Sequence, residues 1–306
     1  MKTFIAPSLT SLKNSSNWAS DLKKKSRKKK KPFNLVRGGI PFSREENINM
    51  IAQMHQHGYV VIPQVIGSDE IQTIRDFYKH LSESSGLSTL LPTDILNQPA
   101  IFNVLLKENI TSAIRELFGR NFSLFPNFTI RESVYIPWHN DAYFLPQEVI
   151  NAESPLQFMQ CAIYLQDNDP ELRGGITLIP SSHRLDKNVI ENMLRASQEH
   201  EKIIMSKAGD LVLWDNRITH RSTYPDKAPD STKLALQWTV SASQDHNGPY
   251  LDYLRARAER SMHVSDYLPK SPKPYFADMP NVVFPTSFHQ DSLSRMTRQN
   301  IHFIGL

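Results

Sequence analysis

The 306-residue chain has a single cysteine, Cys161, which excludes an internal disulfide and any cysteine-based zinc cluster; that side chain is expected to pack as a small apolar group. Long apolar runs are missing too. The longest, such as YVVIP at 59 to 63 and GITLIP at 175 to 180, fall far short of the roughly 20 residues needed to cross a bilayer, so no membrane span is expected. The opening MKTFIAPSL carries one lysine and only a broken apolar stretch. That predicts no secretory signal and a cytoplasmic protein. No internal repeat is present, and nothing alternates as βαβ. What is there is 40% apolar content over a length that can bury a full core, the mark of a soluble globular protein.

Excess positive charge is confined to one segment. Residues 1 to 31 hold ten Lys and Arg against one acid, Asp21, a net of +9; since the whole chain carries +4, residues 32 to 306 carry about −5. The run KKKSRKKKKP at 23 to 32 therefore belongs to a tail, 1 to 43, expected to be disordered because it offers too little apolar surface to offset its ordering entropy. A solvated tail, a nuclear address and a patch for anionic surfaces are all compatible with it. The rest of the chain lacks the basic stripe with interleaved aromatics that nucleic-acid binding would require of the folded domain.

From residue 44 the sequence is periodic. REENINMIAQMHQHG predicts a helix stopped by Gly58, YVVIPQV at 59 to 65 reads as a short strand, and a helix capped by Ser68 carries the stripe Ile71, Ile74, Phe77 and Leu81. A further helix falls at 109 to 119. After residue 120 short apolar segments are divided by Pro, Gly, Asp and Asn: FSLFPNFTI, SVYIPWH, LQFMQCAIYLQD, GGITLIP, GDLVLWD and KLALQWTVSA. These are strands of a β-sandwich or barrel, interrupted by one helix at about 187 to 200. The fold expected is mainly β with supporting α-helices, an antiparallel jelly roll at 44 to 245. Residues 246 to 306 would add a C-terminal helix and an extension acting as a lid.

Strand alternation puts residues i and i+2 on one side of a sheet. In RESVYIPWHNDAYF this brings His139 and Asp141 together, and His220, which follows the strand of GDLVLWD, is the best third ligand. Two histidines and a carboxylate form the facial triad of non-haem iron(II) enzymes, with three coordination positions left open. The same pattern recurs as His289-Gln290-Asp291, in PTSFHQDSLSR, where no strand period supports it. His55 and His57 lie on a predicted helix, where i and i+2 diverge by about 200°. His183 in PSSHR is expected to stabilise a turn, and Trp138 and Trp214 to pack in the core or line a cavity.

With these residues in view, the chain resembles the phytanoyl-CoA dioxygenase family of iron(II)/2-oxoglutarate oxygenases. HGYVVIPQVIGSDEIQTIRDFY at 57 to 78 looks like its opening strand and helix, WHND at 138 to 141 like its WHxD segment, GGITLIPSSHR like its G-x-L-x-x-I-P-G-S-H-R turn, and GDLVLWDNRITHRS like the segment bearing its distal histidine. The phrase WDNR is also similar to the taurine dioxygenase group. The resemblance implies a double-stranded β-helix that binds Fe(II) through His139, Asp141 and His220, uses 2-oxoglutarate and O2, and hydroxylates a C–H bond. An aspartate at 141 departs from halogenating relatives, which have Gly or Ala there.

The family's arginine for the distal carboxylate of 2-oxoglutarate would fall at Ser231. Two residues on stands Lys233, and alternation sets Lys233, Ala235, Gln237 and Thr239 on one face and Leu234, Leu236, Trp238 and Val240 on the other. Lys233 is therefore the expected cation, with Arg221 or Arg217 as alternatives; Ser222 would add a hydroxyl, and Asn127 would serve the metal end. Gln160 and Tyr164, sharing a strand face with Ala162, would line the substrate pocket. The substrate expected is a small specialised metabolite, since a net charge near −5 gives no support for a coenzyme A groove. A non-catalytic small-molecule-binding jelly roll and a nuclear oxygenase acting on a macromolecule are the competing readings.

Overall fold

The computed structural model of the chain describes residues 36–37, 40–41, 44–85, 89–90, 95, 98–125, 127–132, 136–142, 144–145, 150, 155–169, 175–196, 198–223, 233–242, 244–258 and 289–304. The lysine-rich run, the loop containing Ser231 and residues 259–288 of the proposed lid lie outside the described residues. The elements run β1 (Val36–Arg37), β2 (Ile40–Pro41), α1 (Arg44–His57), β3 (Tyr59–Ile62), α2 (Ser68–Ser85), β4 (Thr89–Leu90), α3 (Pro99–Leu105) and α4 (Glu108–Phe118). They continue through β5 (Ser123–Leu124), β6 (Thr129–Glu132), β7 (Phe158–Tyr164), β8 (Ile176–Leu178), α5 (Lys187–Ala196) and β9 (Lys202–Ile203). Last come β10 (Leu211–Asp215), β11 (His220–Ser222), β12 (Leu234–Ser241), α6 (Asn247–Ala258), α7 (Gln290–Arg298) and β13 (His302–Phe303).

Among the described residues two sheets face each other. The larger has eight strands, with the path β13-β5-β12-β7-β10-β3, β6 beside β12 and β4 beside β6; the smaller has the order β11-β8-β9. The pairs within them are antiparallel except β13 with β5. This is the double-stranded β-helix. Alternation divides the larger sheet as its sequence implies. Leu234, Leu236, Trp238 and Val240 of β12 join Ile74, Phe102, Ile110 and Ile114 in a core under the helices, while Ala235, Ala162, Tyr164, Val212 and Trp214 meet Ile176 and Leu178 between the sheets.

Each fully buried side chain of this kind contributes about 1.5–3 kcal/mol through its removal from water, which makes the register of β12 the ordering constraint. A shift of one residue would put Trp238 between the sheets and Lys233 against Phe102 and its neighbours.

Three local features differ from the sequence expectation. The cap of α2 is Gly67, whose N–H donates to Glu70 Oε2 at 3.1 Å, because a glutamate in the first turn reaches back over the helix start. FSLFPNFTI is not one strand: β5 pairs with Val240–Ser241 and β6 with Leu234–Gln237, and in the break between them Asn127 Oδ1 accepts the N–H of Thr239 at 3.3 Å. The side chain replaces a missing ladder partner. The C-terminal residues, which show no clear period, form α7 and β13, with Met296 and Ile301 in the helix-side core.

Gly58 ends α1 with φ +79°, and an added Cβ would lie 2.7 Å from His183 Nδ1 and 2.8 Å from Ile218 Cδ1. His183 Nε2 in turn bonds the His55 carbonyl at 3.1 Å, so the turn after β8 is fastened to the end of α1. Gly58→Ala is expected to lower stability by about 2–4 kcal/mol, from left-handed strain and crowding together. Urea unfolding checks this, and an unshifted midpoint would contradict it.

Candidate metal centre

His139 lies beside the smaller sheet. Its N–H donates to the His220 carbonyl at 2.9 Å and the His220 N–H donates back at 2.8 Å, while Ser222 N–H reaches the Ile136 carbonyl at 2.9 Å. The predicted strand SVYIPWH thus ends as a flank of β11. Asp141, two residues on, is no longer in a strand. Its N–H donates to the Asn216 carbonyl at 2.8 Å, so the turn between β10 and β11 holds the carboxylate where spacing alone would only bring it near.

The side chains converge. His139 Nε2 is 3.7 Å from Asp141 Oδ1 and His220 Nε2 is 3.5 Å from Asp141 Oδ2, and all ligand atoms lie within 4.8 Å of one another. His139 Nδ1 meets the Pro137 carbonyl at 2.7 Å and His220 Nδ1 meets that of Ile218 at 3.0 Å. A carbonyl only accepts, so each Nδ1 must carry the proton and each Nε2 presents its lone pair to the shared space. His220 is pushed down to about 4, first by burial and then by His139, against the opposing pull of Asp141. Its ring is therefore neutral and ready to ligate at neutral pH. Two imidazole lone pairs and a carboxylate at this separation fit a divalent ion such as iron(II).

The competing histidine sets do not converge in this way. His289 precedes α7 and Asp291 sits in its first turn, 3.9 Å apart and exposed. The triad is the one metal-suited cluster among the described residues.

Lys233 is 5% exposed. Its Nζ donates to the Gly175 carbonyl at 3.2 Å and stands 5.8 Å from the centroid of the Tyr164 ring. Burial lowers its ammonium to about 7 and pushes the Tyr164 phenol well above its ordinary range. Arg217 is clamped by Asp215, with Nη2 to Oδ2 at 2.6 Å, and Arg221 meets Glu201 at 2.8 Å and lies over Trp138. Ser222 Oγ accepts from Ile136 N–H at 3.0 Å.

Gln160 and Asn127 share a polar group with Thr239 and Tyr250 on the inner face. Tyr250, from α6, could not be picked out by pattern: its ring is held among Phe125, Phe144 and Phe158, and nothing periodic in the sequence marks a helix that reaches back into the barrel.

A double-stranded β-helix with this triad defines the class of non-haem iron(II) oxygenases. The sequence profile of the phytanoyl-CoA dioxygenase (PhyH) family matches residues 54–224, more than half of the chain, and the protein belongs to that iron(II)/2-oxoglutarate-dependent family. No curated protein matches it. Similar solved structures include the non-heme alpha-ketoglutarate-dependent epimerase SnoN of nogalamycin biosynthesis, 17% identical with 65% of this chain and 82% of that one covered at a TM-score of 0.52. EctD from S. alaskensis, with 2-oxoglutarate and 5-hydroxyectoine, is 16% identical over 66% and 76% at 0.52. HygX from Streptomyces hygroscopicus, with nickel and 2-oxoglutarate, is 14% identical over 66% and 88% at 0.52. At these identities the likeness is one of fold. No described helix is long and apolar enough to cross a membrane.

Proposed function

We propose that the protein is an iron(II)/2-oxoglutarate-dependent hydroxylase of a small specialised metabolite, with His139, Asp141 and His220 as the metal ligands. The observation that carries this reading is the pair of Nδ1 to carbonyl bonds that turns both Nε2 atoms toward Asp141. Iron with 2-oxoglutarate and O2 supplies the oxidising power for a C–H bond, as the family's chemistry provides. The chain's own residues do the holding. The triad would hold a divalent ion through three side chains, and Asp141, kept in place by the Asn216 carbonyl, would supply the carboxylate that halogenating relatives lack.

Lys233 is the residue we assign to the distal carboxylate of 2-oxoglutarate, with Ser222 beside it. Arg217 and Arg221 each already neutralise an acid, so recruiting either would strip Asp215 or Glu201 of its partner. Asn127 is left to order the inner face, since its amide is spent on Thr239 and Tyr250. Tyr164 packs against the Lys233 end and Gln160 toward the substrate. Similar folds carry epimerase and carbocyclase activities, so the hydroxylation outcome rests on family chemistry and on Asp141. The site of action proposed is the cytoplasm, or the nucleus if the 23 to 32 run acts as an address.

Anaerobic addition of iron(II) and 2-oxoglutarate should produce the visible metal-to-ligand charge-transfer band, and His220→Ala should abolish it. A band that never forms, or that survives in the variant, sinks the assignment.

A further inference from the structure

The inner face of the larger sheet is a set of cross-strand rows. One row is Trp214 on β10, Gln160 on β7 and Thr239 on β12, each directly opposite the next. Trp214 packs edge-on to the metal ligand His220 with ring centroids 5.4 Å apart, so this row lies next to the metal centre. Trp214 is 4% exposed, and its Nε1–H is buried without a hydrogen-bond partner. A buried N–H left unmade costs more than a typical bond contributes, so an orphan donor beside an active site points to a ligand that satisfies it.

Hydrogen-bond direction then decides what Gln160 offers. The N–H of Thr239 can only donate, so the oxygen of Asn127 faces it, and Asn127 Nδ2 donates to Thr239 Oγ1 at 2.9 Å and to the Tyr250 hydroxyl. The Tyr250 hydroxyl, having accepted, donates to Thr239 Oγ1 at 2.8 Å. Both acceptor positions of Thr239 are now filled, so its proton goes to Gln160 Oε1 at 2.9 Å. The carboxamide of Gln160 cannot turn over without breaking this chain. Its Nε2, which has no hydrogen-bond partner among the described residues, is the edge left free.

We propose that Trp214 Nε1–H and Gln160 Nε2–H form a donor pair that holds an uncharged oxygen acceptor of the substrate, a carbonyl or hydroxyl, beside His220, and that Tyr250 is a positioning residue which fixes Gln160 through Thr239. This rests on the oxygenase reading for the word substrate. The neutrality follows from the rest of this sheet face, away from the metal end. The next row inward is Val212, Ala162, Gln237 and Thr129, all uncharged. Lys233, just before β12, is six residues from Thr239, about 20 Å at 3.3 Å per residue. A carboxylate placed on two neutral donors there would be left undercompensated. Tyr250 lies beyond residue 224, outside the family match, so this determinant belongs to the C-terminal helix of this chain.

The test uses the full chain loaded with Zn(II) and 2-oxoglutarate, observed through its four tryptophan indole N–H signals by NMR. The Trp214 signal is assigned by its loss in Trp214→Phe or, if that variant does not fold, by selective relaxation from a metal ion at the site. N,N-dimethylacetamide should move the Trp214 signal saturably, and tetramethylammonium, which has no acceptor, should not. In Gln160→Leu the amide should bind about three- to tenfold more weakly, the worth of one neutral hydrogen bond, and in Tyr250→Phe it should weaken in the same sense.

Equal titrations in the parent and Gln160→Leu overturn the pair, and an unchanged Tyr250→Phe overturns the positioning role. Acetate binding more tightly than the amide overturns the neutrality. If 2-oxoglutarate alone moves the signal and blocks the amide, the donors belong to the cosubstrate and the inference fails while the oxygenase reading stands. A missing charge-transfer band with the amide shift intact is the opposite result.

Discussion

Lys233→Met is expected to weaken 2-oxoglutarate binding by about two to nearly four powers of ten, because removing one member of a buried ion pair costs about 3–5 kcal/mol. The charge at 233 is buried between the Gly175 carbonyl and the Tyr164 ring. The same burial brings the ammonium down to about 7, which adds a pH signature. In the ligand-free protein Lys233 gives up its proton above about 7, whereas an unfolded lysine keeps it to about 10.4, so the unfolded state binds more protons between those values. Stability accordingly rises with pH across that window.

Affinity for the cosubstrate runs the other way. It is greatest below about 7, where the ammonium is charged, and falls by up to about tenfold per unit above it. Lys233→Arg keeps its charge throughout and should flatten this profile, whatever its absolute affinity, since the planar fork meets a carboxylate at a different angle. Calorimetric titration of 2-oxoglutarate into the Zn(II)-loaded protein at several pH values reads all three. Parent-like binding by Lys233→Met would remove Lys233 from the site.

Asp141→Ala is expected to lose both metal retention and turnover. Its main-chain bond to Asn216 survives the substitution, and the carboxylate is only partly buried, so the metal-free variant should unfold like the parent to within about 1 kcal/mol. The difference appears on adding metal. At a hundredfold excess over its dissociation constant, a bound ion stabilises the parent by about 2.7 kcal/mol, and the variant should show little of this. Thermal unfolding with and without Zn(II), together with succinate release under iron(II), gives the measurement; a variant that is stabilised equally by metal refutes Asp141 as a ligand.

The proposed donor row beside the triad draws on residues outside the family match. The family match ends at residue 224, but Gln160 takes its direction from Thr239 and Tyr250. If Gln160 meets the substrate as proposed, the side chains that orient it are supplied by β12 and α6. On that reading, substitutions in α6 are expected to change substrate choice without touching the metal ligands.

What the sequence determined by itself was local. A period of two in KLALQWTV decides which side chains face the barrel, because successive residues of any strand point to opposite faces; the two-residue spacing of His139 and Asp141 keeps them close in the chain. Gly58 and the stripe from Ile71 to Leu81 mark helix ends and faces for the same kind of reason, with each contact reaching only a turn away. What only the tertiary structure decided are the meetings across long stretches of chain. His139 pairs with His220 through two main-chain bonds, Asp141 hangs from Asn216, and Asn127 fills the break opposite Thr239. Strand pairing has no periodic signature, since any β-branched strand can lie beside any other until burial of the whole inner and outer faces selects one register. The metal ligands were legible because chemistry restricts them to few residue types, whereas the donors of Trp214 and Gln160 became visible only once the hydrogen bonds of their row could be followed.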